Sequence, residues 1–322
     1  MRKIIYPNQA DQKYLDSLGF DDTFLRNIQP TWELLRDDII INNKNQKNAS
    51  SVYKHDFKDI IIAPYEDLLE IYLDWDENNY SKNAKINSAA EILFNYSSKK
   101  DEIADFFMLD EFENITTCFY CETAYINIFK ADRKKRRLFD VDHFLPNKQS
   151  PITAISLYNF VPSCIVCNRS IKGRRLFNNL YKLKKLTKDE KRKVLLHISP
   201  TCDQYDYDNN VKISIKTNAK FNGPIDITKA YKQVDIDFKS TKEYDIVNYA
   251  FKIKERYNYV NHKKYALMCW DLVQRYTDSN IHDMAILLNV DEKQLKEDIF
   301  HEDNSNKAQL LFGKMRKDLF GW

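Results

Sequence analysis

Apolar residues recur every three or four positions through the first 112 residues. The stretches DLLEIYLDW (67–75), AAEILFNY (89–96) and DEIADFFMLDEF (101–112) each place one apolar stripe on a 3.6-residue period, which predicts amphipathic helices. The Asn/Lys-rich runs NNKNQKNASS and DENNYSKN interrupt that pattern and are expected to be loops. From about residue 113 to 180 the pattern changes to short β-like runs, paired cysteines and basic clusters. Further on, KLKKLTKDEKRKVLLHI predicts a basic helix. VKISIKT and VDIDFK alternate with period two on either side of Asn222-Gly223-Pro224, which predicts a small strand pair. Helical patterning returns from about Thr241. The expected organisation is α+β, with a mostly helical region over 1–112, a distinct central unit over 113–180, and a C-terminal region over 181–322 that opens with the strand pair and continues as helices.

Charge sharpens the contrast between regions. The chain carries a net +3, yet Cys118 to Arg175 alone holds eleven Lys/Arg against four Asp/Glu, so the remainder is acidic. A basic segment in an otherwise acidic chain is the footprint of a phosphate-binding surface. With five glycines in 322 residues, neither a Gly-x4-Gly-Lys phosphate loop nor a Gly-x-Gly-x-x-Gly turn is present. Neither a nucleotide-driven motor nor a dinucleotide oxidoreductase is therefore expected within this chain. No apolar run approaches the roughly 20 residues of a membrane helix, and MRKIIYPNQADQ is too short in apolar residues for a secretion signal. A cytoplasmic protein is expected, in which cysteines serve as ligands or core thiols.

Four of the six cysteines form two Cys-x-x-Cys pairs, Cys118/Cys121 and Cys164/Cys167. Two such turns supply a tetrahedron of thiolates for structural Zn²⁺. Cys202 and Cys269 stand alone and are expected to be buried thiols. Between the pairs, RRLFDVDHFLP offers Asp142-His143 at the end of a β-like run closed by Pro146. LYNFVPSCIVCNRSIKG then supplies Asn159 and Asn168 on either side of the second pair. Phosphodiester hydrolysis needs a base for water and a cation for the charge that develops on phosphorus. Histidine suits the first role near neutrality. Carboxylate and amide oxygens suit Mg²⁺. Adjacent strand residues point to opposite faces, so Asp142 and His143 can share a site only where the strand ends. Asn168 also suits the N-cap of a helix beginning at SIKGRRLFNNL.

These roughly 60 residues resemble the HNH, or ββα-metal, nucleases in their cysteine-stapled form. Asp-Val-Asp-His followed by Asn-x-Val and Asn-Arg is also similar to the HNH domain of RNA-guided CRISPR nucleases. The resemblance implies a central ββα unit with His143 as general base, and Asp142 and Asn168 as ligands of a catalytic Mg²⁺ or Mn²⁺. It implies Asn159 as a brace for the loop that holds His143. The implied activity is hydrolysis of DNA, with RNA a further possible substrate. An HNH core between helical flanks, without its own motor, also resembles the effectors of bacterial anti-phage systems. The HNH subunit of Septu, which works with an ATPase, is one such protein, and an ATPase partner is the corresponding expectation.

Arg169, Lys172, Arg174 and Arg175 after Asn168 are expected to contact phosphates, as is the run Arg133-Lys134-Lys135-Arg136-Arg137. IHDMAILLNVDEKQLKEDIF has helix-turn-helix spacing, but Glu292, Glu297 and Asp298 would repel DNA from its second helix, so packing or a protein contact is the better expectation. His197 in LLHISP is expected to pack in a loop or core. Two other functions compete: a stand-alone restriction or homing-type nuclease, and a non-catalytic zinc module that binds nucleic acid or a partner protein.

Overall fold

The computed structural model describes residues 2–112, 116–172, 183, 185–217, 225–300 and 311–321. They mix many helices with three two-stranded antiparallel sheets. The chain divides into two compact units, one of residues 2–113 and 126–206, the other of residues 114–125 and 207–322. This division cuts across the three regions of the sequence: the segment with Cys118 and Cys121 groups with the C-terminal region, and the rest of the central segment groups with the N-terminal helices. No helix among the described residues is long and apolar enough to cross a membrane.

The first unit opens with seven α-helices: α1 (Ala10–Ser17), α2 (Asp22–Asn42), α3 (Gln46–Val52), α4 (Phe57–Ile61), α5 (Tyr65–Glu77), α6 (Ala84–Leu93) and α7 (Tyr96–Phe106). Helix α5 is their hub. Leu68, Leu69, Ile71, Tyr72, Leu73 and Trp75 are all buried, so the helix is covered around most of its circumference. A helix apolar on nearly every side has to be interior, and each large apolar side chain buried here contributes about 1.5–3 kcal/mol. Asp74 is the polar exception. Burial raises its carboxyl above the usual range, while hydrogen bonds from Asn43 and Tyr53 oppose that shift.

The Asn-rich breaks turn out to be caps as well as turns. Asn45 accepts from Asn48 N (3.1 Å) and starts α3 inside a run that periodicity assigned to a loop. Asn83 likewise starts α6 by accepting from Ile86 N (3.3 Å). A short polar side chain satisfies a free amide of the first turn, which offsets the cost of beginning a short helix.

Four strands follow in the same unit. β1 (Ile128–Ala131) pairs with β2 (Lys134–Arg137), and β3 (Asp140–His143) pairs with β4 (Phe160–Ser163). A π-helical turn, Val166–Lys172, comes next, and then helix Lys188–Ile198, which a Thr187/Glu190 capping box starts.

In the second unit, β5 (Val211–Thr217) pairs along its full length with β6 (Val234–Ser240), from Val211↔Ser240 to Thr217↔Val234. These are the two runs with period-two alternation. Val234 of β6 shares a core with Ala230 and Leu267, and Ile215 of β5 packs against it. The segment bearing Cys118 and Cys121 is anchored here: Tyr120 stacks on Phe251 at 4.2 Å, and Tyr257 Oη donates to Cys121 O (2.9 Å). Glu122, buried with φ 52°, accepts at its backbone oxygen from Phe312 N and at Oε2 from Lys314 N, both 2.8 Å. It thereby caps the helix Gly313–Phe320. Helices Asp278–Leu288 and Glu292–Phe300 meet at Asn289 (φ 54°), as the helix-turn-helix spacing suggested.

Candidate functional site

Cys118, Cys121, Cys164 and Cys167 are all buried, form no disulfide, and hold their sulfur atoms within 4.8 Å of one another. Tetrahedral Zn²⁺ with sulfur at about 2.3 Å needs its thiolates about 3.8 Å apart, so this cluster can hold a zinc ion. Local geometry prepares both pairs. Cys167 N–H points at Cys164 Sγ (3.4 Å), Thr123 Oγ1 donates to Cys121 Sγ (3.3 Å), and Cys118 N donates to Ala124 O (3.0 Å). Cys202 and Cys269 are buried elsewhere, and burial pushes their thiols up to about 12 and about 11.

His143 is the last residue of β3, opposite Phe160 in register. Its ring packs against Tyr96 (4.4 Å) and Phe160 (4.9 Å), which are themselves 6.0 Å apart. Nε2 is 2.8 Å from the carbonyl oxygen of Ala154. A carbonyl only accepts, so Nε2 carries the hydrogen and, in the neutral ring, Nδ1 is left as the acceptor. Burial pulls the imidazole from 6.5 down to about 4, against the opposing effects of the Ala154 carbonyl and the Asp142 charge.

Asn159 sits immediately before β4 and is fully buried. Its Oδ1 accepts from Leu145 N (2.7 Å), and its Nδ2 donates to Leu145 O (3.0 Å) and Thr153 O (2.9 Å). One carboxamide thus ties both ends of the loop that leaves β3 and sets Ala154 against His143.

Asp142, the residue before His143 on β3, is buried. The buried ammonium of Lys172 donates to Asp142 Oδ2 and to the backbone oxygen of His143. Asp140, two residues earlier on the same face of β3, accepts two bonds from Arg169 (2.7 Å each) and one from Asn168 Nδ2 (3.2 Å). Asn168 lies inside the π-helical turn rather than at a helix N-cap, because the turn begins two residues before it. The wide winding presents Asn168, Arg169 and Lys172 together toward β3. Arg169 and Lys172, expected to meet phosphates, are each paired with a carboxylate in this conformation. Arg174 and Arg175 lie outside the described residues.

The oxygens that suit a hard cation are those of Asp142, Asp140 and Asn168 Oδ1, the last of which accepts no hydrogen bond among the described residues. Asp140 and Tyr96 join this neighbourhood without having been singled out in the sequence. Asp140 was legible, since DVDH places it one strand period from Asp142. Tyr96 was not, lying far back in the chain at the start of α7. Burial raises its phenol, Arg137 opposes the shift, and Asp140 and Asp142 add to it. His197, on the helix Lys188–Ile198, bonds through Nδ1 to Lys193 O (2.7 Å) and takes no part here. Compared with known proteins, the chain matches no family model, no curated protein and no solved structure.

Proposed function

We propose that this chain is a metal-dependent endonuclease of the HNH type that hydrolyses phosphodiester bonds in DNA. The observation that carries the reading is the fixed tautomer of His143. A ring packed against Tyr96 and Phe160, with Nε2–H committed to a carbonyl, leaves Nδ1 as the acceptor of a neutral imidazole, which is the state a general base requires. The order strand, braced loop, strand and helical turn, with Asn159 and Asn168 where the motif expects them, supports the same conclusion.

In this reading Nδ1 of His143 takes the proton of the attacking water. Asn159 holds the loop so that the ring does not turn. Asp142 and Asn168, with Asp140 beside them, would hold Mg²⁺ or Mn²⁺, which supplies Lewis-acid stabilisation of the scissile phosphate. Lys172 then has to surrender Asp142. The test is cleavage of plasmid and linear duplex DNA with Mg²⁺ or Mn²⁺, with and without the products of neighbouring genes. His143→Ala is expected to lose roughly 10²–10⁴-fold in rate while keeping its fold, and wild-type turnover in that variant would end the proposal. Activity only with an ATPase partner would place the protein among anti-phage effectors. Site-specific cutting by the chain alone would make it a stand-alone restriction or homing-type enzyme.

One observation favours a second reading, a zinc module that binds nucleic acid or a partner without cutting. The carboxylate expected to bind the catalytic metal is already neutralised by a buried lysine. That reading requires no cleavage with any cation or partner and binding that is indifferent to Mg²⁺.

A further inference from the structure

The β1–β2 ribbon lies outside the site just described, and its surface is dominated by cations. The strands are joined by a two-residue turn, Asp132-Arg133, in which both residues have positive φ (50° and 61°). That is the backbone of a tight hairpin whose twist matches its strands. The register sets Phe129 against Arg136 and Lys130 against Lys135. Strand alternation then gives the ribbon two unlike faces. One is tied down: Lys135 Nζ donates to Met108 O (2.9 Å) and pairs with Asp110, while the Arg137 guanidinium lies 5.9 Å from the Phe139 ring. The other presents Phe129, Lys134 and Arg136 to solvent, with Arg133 at the tip, and Phe129 is 44% exposed.

Arg133, Lys134 and Arg136 form no ion pair among the described residues. Like charges packed along one strand repel and cost stability. Among the described residues, Lys135 alone of the ribbon's cations is paired with a carboxylate, so the outward cations are open to an external anion. An exposed phenylalanine among them indicates a partner with apolar edges as well as negative charge. A two-stranded ribbon fits the major groove of B-DNA, where phosphates line the walls and thymine methyl groups the floor. Only Leu138 and Phe139 separate β2 from β3, so whatever grips the ribbon also fixes the strand that carries Asp142 and His143.

We infer that the β1–β2 ribbon enters the major groove of duplex DNA, with Arg133, Lys134 and Arg136 on the phosphate walls and Phe129 toward the base edges. The choice of DNA rests on the nuclease reading; the groove contact itself is read without cleavage. The experiment is fluorescence anisotropy with a labelled 20-base-pair duplex and its single strands, at several salt concentrations and without added divalent cation. Dimethyl sulfate probing of guanine N7, which faces the major groove, is run in parallel. Wild type is expected to prefer the duplex and to protect N7. The triple variant Arg133→Ser/Lys134→Ser/Arg136→Ser is expected to lose the protection and to lower the salt slope by about three, one for each phosphate contact. Phe129→Ser should weaken duplex binding with the slope unchanged.

An unchanged slope in the triple variant, equal binding of single strands, or N7 left open by the wild type would each overturn the inference. Circular dichroism and zinc content check the fold, and Arg136→Gln alone, expected to lower the slope by about one, replaces the triple variant if that does not fold. A protein that binds as expected but cuts with no cation or partner refutes the nuclease reading and keeps the ribbon. One that cuts, with no change in slope, does the reverse.

Discussion

At the scale of single residues, His143 and Asn159 show how much one side chain can settle. Packed against two aromatic rings and desolvated there, the imidazole is held down to about 4. Because the unfolded chain takes its proton first, at about 6.5, this group's contribution to stability is fully present above about pH 6.5 and is lost as the pH falls toward 4. A ¹⁵N titration of His143 should show a neutral ring, protonated at Nε2, down to about pH 5. A midpoint near 6.5 would contradict the desolvation described above. Asn159→Ala should cost at least about 3 kcal/mol in urea unfolding, since it strands three buried backbone groups of Leu145 and Thr153. A loss under 1 kcal/mol would mean that water replaces the carboxamide. Both residues stood out in the sequence through the resemblance of their stretch to a known motif. Their partners, Ala154 O, Tyr96 and Phe160, were not, because a backbone carbonyl and aromatic neighbours leave no pattern along the chain.

At the scale of elements, period-two and helical patterning located most of the structure, including the β5–β6 pair and the helical N-terminal region. What they missed were short elements initiated by side chains, such as α3 behind Asn45, and the π-helical turn that gathers Asn168, Arg169 and Lys172 over β3. Wide winding has no sequence period of its own to detect. It has a consequence for Lys172. With Asp142 buried beside it, Lys172→Met removes an ammonium from a buried carboxylate and should destabilise the protein by about 3–5 kcal/mol in the absence of metal. If Asp142 is a cation ligand, Mn²⁺ should restore much of that loss, raising the Tm of the variant more than that of the wild type. Equal Mn²⁺ effects on both proteins would show that Asp142 serves only the lysine.

At the scale of the molecule, the four-cysteine cluster was the part of the sequence most directly confirmed in three dimensions, since thiolate spacing is set by the ligand rather than by the fold around it. Elemental analysis should find one zinc per chain, and the four thiols should resist modification until it is removed. If the chain is the nuclease proposed above, brief EDTA treatment should stop cleavage before it unfolds the chain, with Mg²⁺ or Mn²⁺ alone restoring activity. A need for added zinc would mean that the cluster, and not the Asp142 neighbourhood, limits the reaction. The grouping of residues 114–125 with 207–322 was invisible in the sequence, because local periodicity carries no record of which distant segment a turn will meet. That grouping bears on synthesis. Glu122 finds its backbone partner on Lys314, 192 residues downstream. At about 5–20 residues per second, a ribosome needs roughly 10–40 s to make the intervening chain. For that interval Glu122, next to Cys121, lacks the amides of Phe312 and Lys314 that hold it, and the turn that carries Cys118 and Cys121 completes its anchoring only when helix Gly313–Phe320 arrives.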